Sequence, residues 1–66
     1  MEEKLAKEIV EEFKRMNGPY PTVSNVMSMT KIKSSSYDIY AIQKGDVTFL
    51  VWIREDGTFT AKTQCW

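Results

Sequence analysis

The sequence contains no histidine and only one cysteine. Histidine is the commonest metal ligand in proteins and the usual general base near neutral pH. A single cysteine allows neither a disulfide within the chain nor a zinc site built from thiolates. The three glycines stand where a helix end or a turn is expected, so there is no glycine-rich phosphate loop. We therefore expect a protein that is not an enzyme and that binds no metal or cofactor.

The few groups that could still carry out chemistry are better explained as surface or incidental residues. Glu11 and Glu12 are consecutive on a predicted helix and point in different directions, while Glu55 and Asp56 lie in a predicted turn. Cys65 has no histidine in the chain to activate its thiol as a nucleophile. These residues do not change the expectation of a non-catalytic protein.

An excess of charge of either sign is also absent, because nine Lys and Arg residues balance nine Asp and Glu residues. A neutral chain is not a nucleic-acid mimic, and it lacks the excess of cations that bulk attraction to DNA or anionic lipid requires. No apolar run approaches the roughly 18 residues of a membrane span. Because an unpaired cysteine suits a reducing compartment, we expect a cytoplasmic protein without a membrane partner.

The first part of the chain predicts an amphipathic helix over residues 2–16. Its apolar side chains recur at spacings of three and four, which places them on one face: Leu5, Ile9, Phe13 and Met16. The other positions are mostly charged. Asn17 and Gly18 can adopt the left-handed conformation that ends helices, and Pro19 then prevents continuation.

A connector over residues 17–25 is followed by a weaker pattern. Residues 26–33 alternate imperfectly between apolar and polar side chains, which predicts a first strand. The competing interpretation is a helical turn near residues 22–27 that begins at Thr22. The two interpretations place the same side chains differently and remain open at this point.

The second half of the chain predicts a β-meander. Residues 37–43, 46–54 and 58–64 are rich in β-branched and aromatic residues and are separated by short segments that contain glycine. Together with the helix they predict a single α+β domain. Its N-terminal amphipathic helix packs on a three- or four-stranded antiparallel sheet.

The alternation of side chains also predicts how the strands pair. A three-residue loop over residues 55–57 places Phe59 opposite Ile53 and provides a glycine where the left-handed conformation is needed. For the first hairpin, a two-residue loop of Lys44 and Gly45 places Ile42 opposite Val47. A three-residue loop there remains an alternative, and it would turn Ile42 to the other face of the sheet.

The apolar set Val47, Phe49 and Val51 should face the helix, so the residues between them should face away from it. One helix covers only one side of a sheet, and the other side of such a sheet is usually polar. Here it carries large apolar and aromatic groups instead. The candidate partner-binding residues are Trp52, Leu50, Tyr37, Ile39, Asp38 and Lys62.

Three interpretations of this surface are open. It binds another protein or a second copy of the chain, since exposed apolar patches with Trp and Tyr are typical of interfaces. Residues 19–33 fold over it as a second small core. In the alternative functional interpretation, the protein is a nucleic-acid-binding accessory protein that uses this face with Lys31, Lys33 and Lys62.

The order of the elements carries a loose resemblance. A helix and a connector precede the segments Tyr37-Asp38-Ile39-Tyr40, Lys44-Gly45-Asp46 and Phe49-Leu50-Val51-Trp52-Ile53. This order resembles that of small helix-plus-meander modules such as the PepSY type, over about residues 2–63, with no counterpart for residues 19–33. The resemblance implies an inhibitory or regulatory role toward other proteins. The favoured expectation is therefore a small intracellular module that binds, or inhibits, another protein.

Overall fold

The structure, a computed structural model, describes residues 1–33 and 36–65, with only the backbone of Lys33 and Cys65. Its elements are α1 (Glu3–Arg15), α2 (Val23–Met27), β1 (Thr30–Lys33), β2 (Tyr37–Lys44), β3 (Val47–Arg54) and β4 (Phe59–Cys65). The four strands form one antiparallel sheet in the order β1-β2-β3-β4. The predicted α+β fold, with an N-terminal helix packed on an antiparallel meander, is confirmed.

Helix α1 buries one face and ends where the sequence allows it to end. Its buried side chains are Ala6, Ile9, Val10 and Phe13. The chain leaves the helix at Asn17, whose φ of 57° is the left-handed conformation of a helix C-terminus. Helix α1 ends at Arg15, so Met16 lies beyond it and is 42 % exposed. The prediction that Met16 belongs to the apolar face of the helix is therefore wrong.

The strand predicted over residues 26–33 is wrong in its first half. Residues 23–27 form α2, and only Thr30–Lys33 is strand. The Asn25 N–H donates to Thr22 Oγ1 at 3.1 Å, and the Thr22 N–H donates to Asn25 Oδ1 at 3.0 Å. This reciprocal capping box satisfies N–H groups that a helix start leaves unpaired, which favours the short helix over an extended chain. The helical turn beginning at Thr22 is therefore correct.

The second hairpin is as predicted, whereas the first is shifted. Phe59 pairs with Ile53 across the three-residue loop. In the first hairpin Lys44 pairs with Val47, so the turn is Gly45-Asp46 rather than Lys44-Gly45. Gly45 has a φ of 63°, which suits the first central position of a tight hairpin turn.

The shift at the first hairpin moves each strand partner by two positions. Ile42 therefore pairs with Phe49 and not with Val47. Because side chains alternate with a period of two, a shift by two leaves every residue on its predicted face. The three-residue alternative, which exchanges the faces of β2, is excluded by this register.

The core lies between the helices and one face of the sheet. Its fully buried centre is Phe13 of α1 against Phe49 of β3, whose ring centroids are 5.1 Å apart with the planes at 72°. Val26 of α2 and Met29 belong to the same cluster, together with Val51. Both helices therefore pack on the same face of the sheet.

Candidate protein-binding surface

The residues that alternate with the core positions form the other face of the sheet, which we call the outer face. By strand register it comprises Thr30, Ile32, Tyr37, Ile39, Ala41, Gln43, Thr48, Leu50, Trp52, Arg54, Thr60, Lys62 and Gln64. Neither helix covers it, because both pack on the face of Phe49 and Val51. Of the interpretations left open, the one in which residues 19–33 fold over this face is wrong, since Val26 and Met29 are buried in the core on the opposite side.

An apolar row crosses three strands of the outer face. Ile32 of β1 pairs with Ile39 of β2, and Ile39 pairs with Trp52 of β3, while the β4 partner of Trp52 is the polar Thr60. Directly paired side chains of an antiparallel sheet lie close enough to contact one another. Ile39 and Trp52 are accordingly half-buried, whereas Ile32 at the β1 end is 53 % exposed. Trp52 is therefore partly covered by its neighbours, and Ile32 is the more exposed end of the row.

Beside Trp52 the surface is concave. A cavity of about 450 Å³ is lined by Tyr37, Trp52, Arg54, Thr60, Ala61 and Lys62. The Arg54 guanidinium donates hydrogen bonds to Thr60 Oγ1 and, at 3.4 Å, to Thr58 Oγ1. These bonds hold the guanidinium beside the indole at the end of β3. The cavity therefore has an aromatic wall and a fixed cation.

The charges of the outer face are all of one sign. Arg54 and Lys62 are its ionisable cations, and no Asp or Glu occupies any of the outer-face positions named above. Within residues 1–33 and 36–65, neither cation forms an ion pair with a carboxylate. A ligand of this face therefore meets two cations that form no ion pair among the described residues.

Arg54 interacts electrostatically with an acid, Asp56, in the loop between β3 and β4. Thr58 donates both its Oγ1 hydroxyl, at 2.7 Å, and its backbone N–H, at 2.9 Å, to Asp56 Oδ1. These bonds, chiefly the one from the hydroxyl, lower the pKa of Asp56 below 3.8, and the positive charge of Arg54 acts in the same direction. The carboxylate is thereby oriented toward its own loop.

The structure separates Asp38 from the other candidate site residues. Asp38 pairs with Ile53 and thus belongs to the helix side, where its Oδ2 lies 3.2 Å from Lys31 Nζ. It is also not an edge residue, since β2 lies between β1 and β3. Tyr37, Ile39, Leu50, Trp52 and Lys62 do share the outer face, as predicted.

The lysines of the nucleic-acid hypothesis do not share one face. Lys31 pairs with Tyr40 on the helix side, and Lys33 pairs in backbone register with Asp38. Lys62 is on the outer face. The side chain of Lys33 is outside the described part of the chain. A cationic stripe of Lys31, Lys33 and Lys62 across the exposed aromatic face is therefore not formed.

Two outer-face residues were missed at the level of sequence. Arg54 is two positions from Trp52 in β3 and so lies on the same face. Ile32 pairs with Ile39 and therefore shares its face. Parity could have found Arg54, since both residues lie in the same predicted strand. Ile32 required the pairing of β1 with β2, which no local pattern specifies.

Other kinds of site are not evident in the described chain. Within residues 1–33 and 36–65, no group of three or more potential metal ligands is clustered. Over the same residues, neither helix is long and apolar enough to cross a membrane. Comparison with models of protein families, with curated proteins and with solved structures finds no match for this chain. The resemblance to PepSY-type modules therefore gains no support from relatives.

Proposed function

We propose that the protein is a non-catalytic module that binds another protein through its outer face. The observation that carries this proposal is the apolar row of Ile32, Ile39 and Trp52 on a sheet face that neither helix covers. The outward side of a one-sided antiparallel sheet is normally polar, so a row of this kind needs a reason. Trp and Tyr within an exposed apolar patch are enriched at protein interfaces.

Nucleic acid is the less well supported partner. Affinity for its phosphates grows with the number of cations that reach them, and the outer face supplies only Arg54 and Lys62. Lys31 is engaged with Asp38 on the other side of the sheet. An inhibitory action on the protein partner and a cytoplasmic location stay part of the proposal, the latter supported by the single cysteine.

Site-specific photo-crosslinking in the native host tests the proposal. The photoreactive amino acid benzoylphenylalanine replaces Ile32 on the outer face or, as a control, Tyr20 beside α1. The two positions are matched in exposure, at 53 % and 51 %. We expect the Ile32 position to capture a discrete host protein and the Tyr20 position not to do so. The captured protein, once purified, should bind the unmodified chain directly.

The same crosslink should disappear when Trp52→Ala is added. Trp52 lies on the outer face and outside the core cluster, so we expect this substitution to cost about 1–2 kcal/mol and to leave the domain folded, as checked by circular dichroism. Three results overturn the proposal. They are a crosslink to a second copy of the chain, a crosslink to nucleic acid, and capture of the same proteins from both positions.

A further inference from the structure

We infer that the partner presents a short acidic peptide segment, in which an Asp or Glu lies next to a large apolar side chain. The apolar side chain packs on Trp52, and the carboxylate lies between Arg54 and Lys62. This inference rests on the proposed function and specifies the chemistry of the partner. It follows from the charge, the shape and the extent of the outer face.

The charge argument comes first. The cavity beside Trp52 contains Arg54 and Lys62 in its lining, and among residues 1–33 and 36–65 no carboxylate lines it. Arg54 is held by Thr58 and Thr60, so little side-chain entropy is lost when it binds an anion. A carboxylate is the anionic group of proteins, and a guanidinium donates two parallel hydrogen bonds to it. Asp56, in the loop that follows Arg54, is already bound by Thr58.

The same charges argue against a second copy of this chain as the occupant. Two outer faces in contact bring both copies of Arg54 and of Lys62 into one interface without a single outer-face carboxylate. Like charges that face each other across an interface cost several kcal/mol. An acidic segment instead neutralises the two cations.

The extent of the face favours a peptide over a broad protein surface. The sheet has four strands of at most eight residues each. With about 4.8 Å between strands and about 3.3 Å per residue along them, its plane measures roughly 500 Å². Its margins are polar, so the apolar part of the face is smaller than this plane. A few residues of extended peptide fit this apolar part.

The cavity provides the place for the apolar anchor. Tyr37 and Trp52 line one cavity of about 450 Å³ together with the two cations. A pocket of this size accepts one large side chain, and an aromatic wall gains most when a partner ring or branched aliphatic chain excludes water from it. The anchor and the acid must therefore be close in the sequence of the partner.

The test is selection of ligands from a random dodecapeptide library on the immobilised full chain. We expect the selected peptides to carry Asp or Glu within two positions of Trp, Phe or Leu. A representative peptide should bind the Lys62→Glu variant about tenfold more weakly than it binds the unmodified protein. Lys4→Glu on α1 is the matched control, because it changes the net charge equally on the helix side and should leave affinity unchanged.

Charge reversal of the peptide completes the design. Replacing the acid of the selected peptide by Lys should abolish binding to the unmodified protein and restore it to Lys62→Glu. Nuclear magnetic resonance reports separately whether a peptide perturbs the amide signals of Ile39 and Trp52. Peptides that perturb them without an acidic residue overturn this inference and leave the proposed function intact. The inference of an acidic peptide is also overturned if no peptide perturbs the signals of Ile39 and Trp52. The same holds if a single-stranded oligonucleotide binds the outer face more tightly than the selected peptide.

Discussion

The contact between Phe13 and Phe49 joins the helix to the sheet, and its energy is open to measurement. Both side chains are fully buried, and the rings meet edge to face at 5.1 Å. Leucine keeps most of the volume of phenylalanine but has no ring, so each of Phe13→Leu and Phe49→Leu should cost about 1–1.5 kcal/mol. A pair in this geometry contributes about 0.5–1.5 kcal/mol beyond the area it buries.

The double variant should therefore be less destabilised than the sum of the single variants by about 0.5–1.5 kcal/mol. A domain of this size has about 3–5 kcal/mol of stability, so the double variant still folds and the cycle is measurable by denaturant titration with circular dichroism. Phe13→Leu combined with Leu50→Ala is the control, because Leu50 lies on the outer face and the two costs should add. If the costs of the Phe13 and Phe49 variants also add, the rings do not meet and the docking of α1 described above is wrong.

Two further predictions concern the loop between β3 and β4. Gly57 has a φ of 89°, so Gly57→Ala should lower the free energy of unfolding by about 1–2 kcal/mol, whereas Gly18→Ala, where φ is not positive and space is open, should change it little. The pKa of Asp56 is lowered in the folded state, so its contribution to stability is present above 3.8 and is lost as the pH falls through the folded-state value. Titration followed by nuclear magnetic resonance should place the Asp56 midpoint below 3.8, and Thr58→Val should raise it; a midpoint that Thr58→Val leaves unchanged contradicts the assigned cause.

The two faces of β3 were predictable because side-chain parity along a strand is a local property, whereas the face of each β2 residue depended on the length of the first hairpin loop. Val47, Phe49 and Val51 alternate with Leu50 and Trp52, and this alone separates core from outer face. The exact partners in the first hairpin were not predictable in the same way. Turns at Lys44-Gly45 and at Gly45-Asp46 have the same length and the same parity, so alternation does not distinguish them.

The short helix α2 was harder to predict than α1 for a related reason. Five residues are too few to show a helical period, and the alternation from Val26 to Ile32 resembles that of a strand. The decisive signal was the spacing of Thr22 and Asn25, which is that of a capping box. The partnership of Asp38 with Lys31 required the pairing of β1 with β2, which brings together residues from separate segments.

The meander order of the sheet has a consequence for the time course of folding. Each strand pairs with its neighbour in the chain, so the two described hairpins close loops of only two and three residues. Such hairpins form within about 1–10 μs, whereas the contact between positions 13 and 49 must close a much longer loop. From the short loops we expect the β2–β3–β4 meander to form before α1 docks. In that interval the sheet exposes both of its apolar faces, so the rate at which the helix arrives determines how long the chain is vulnerable to aggregation.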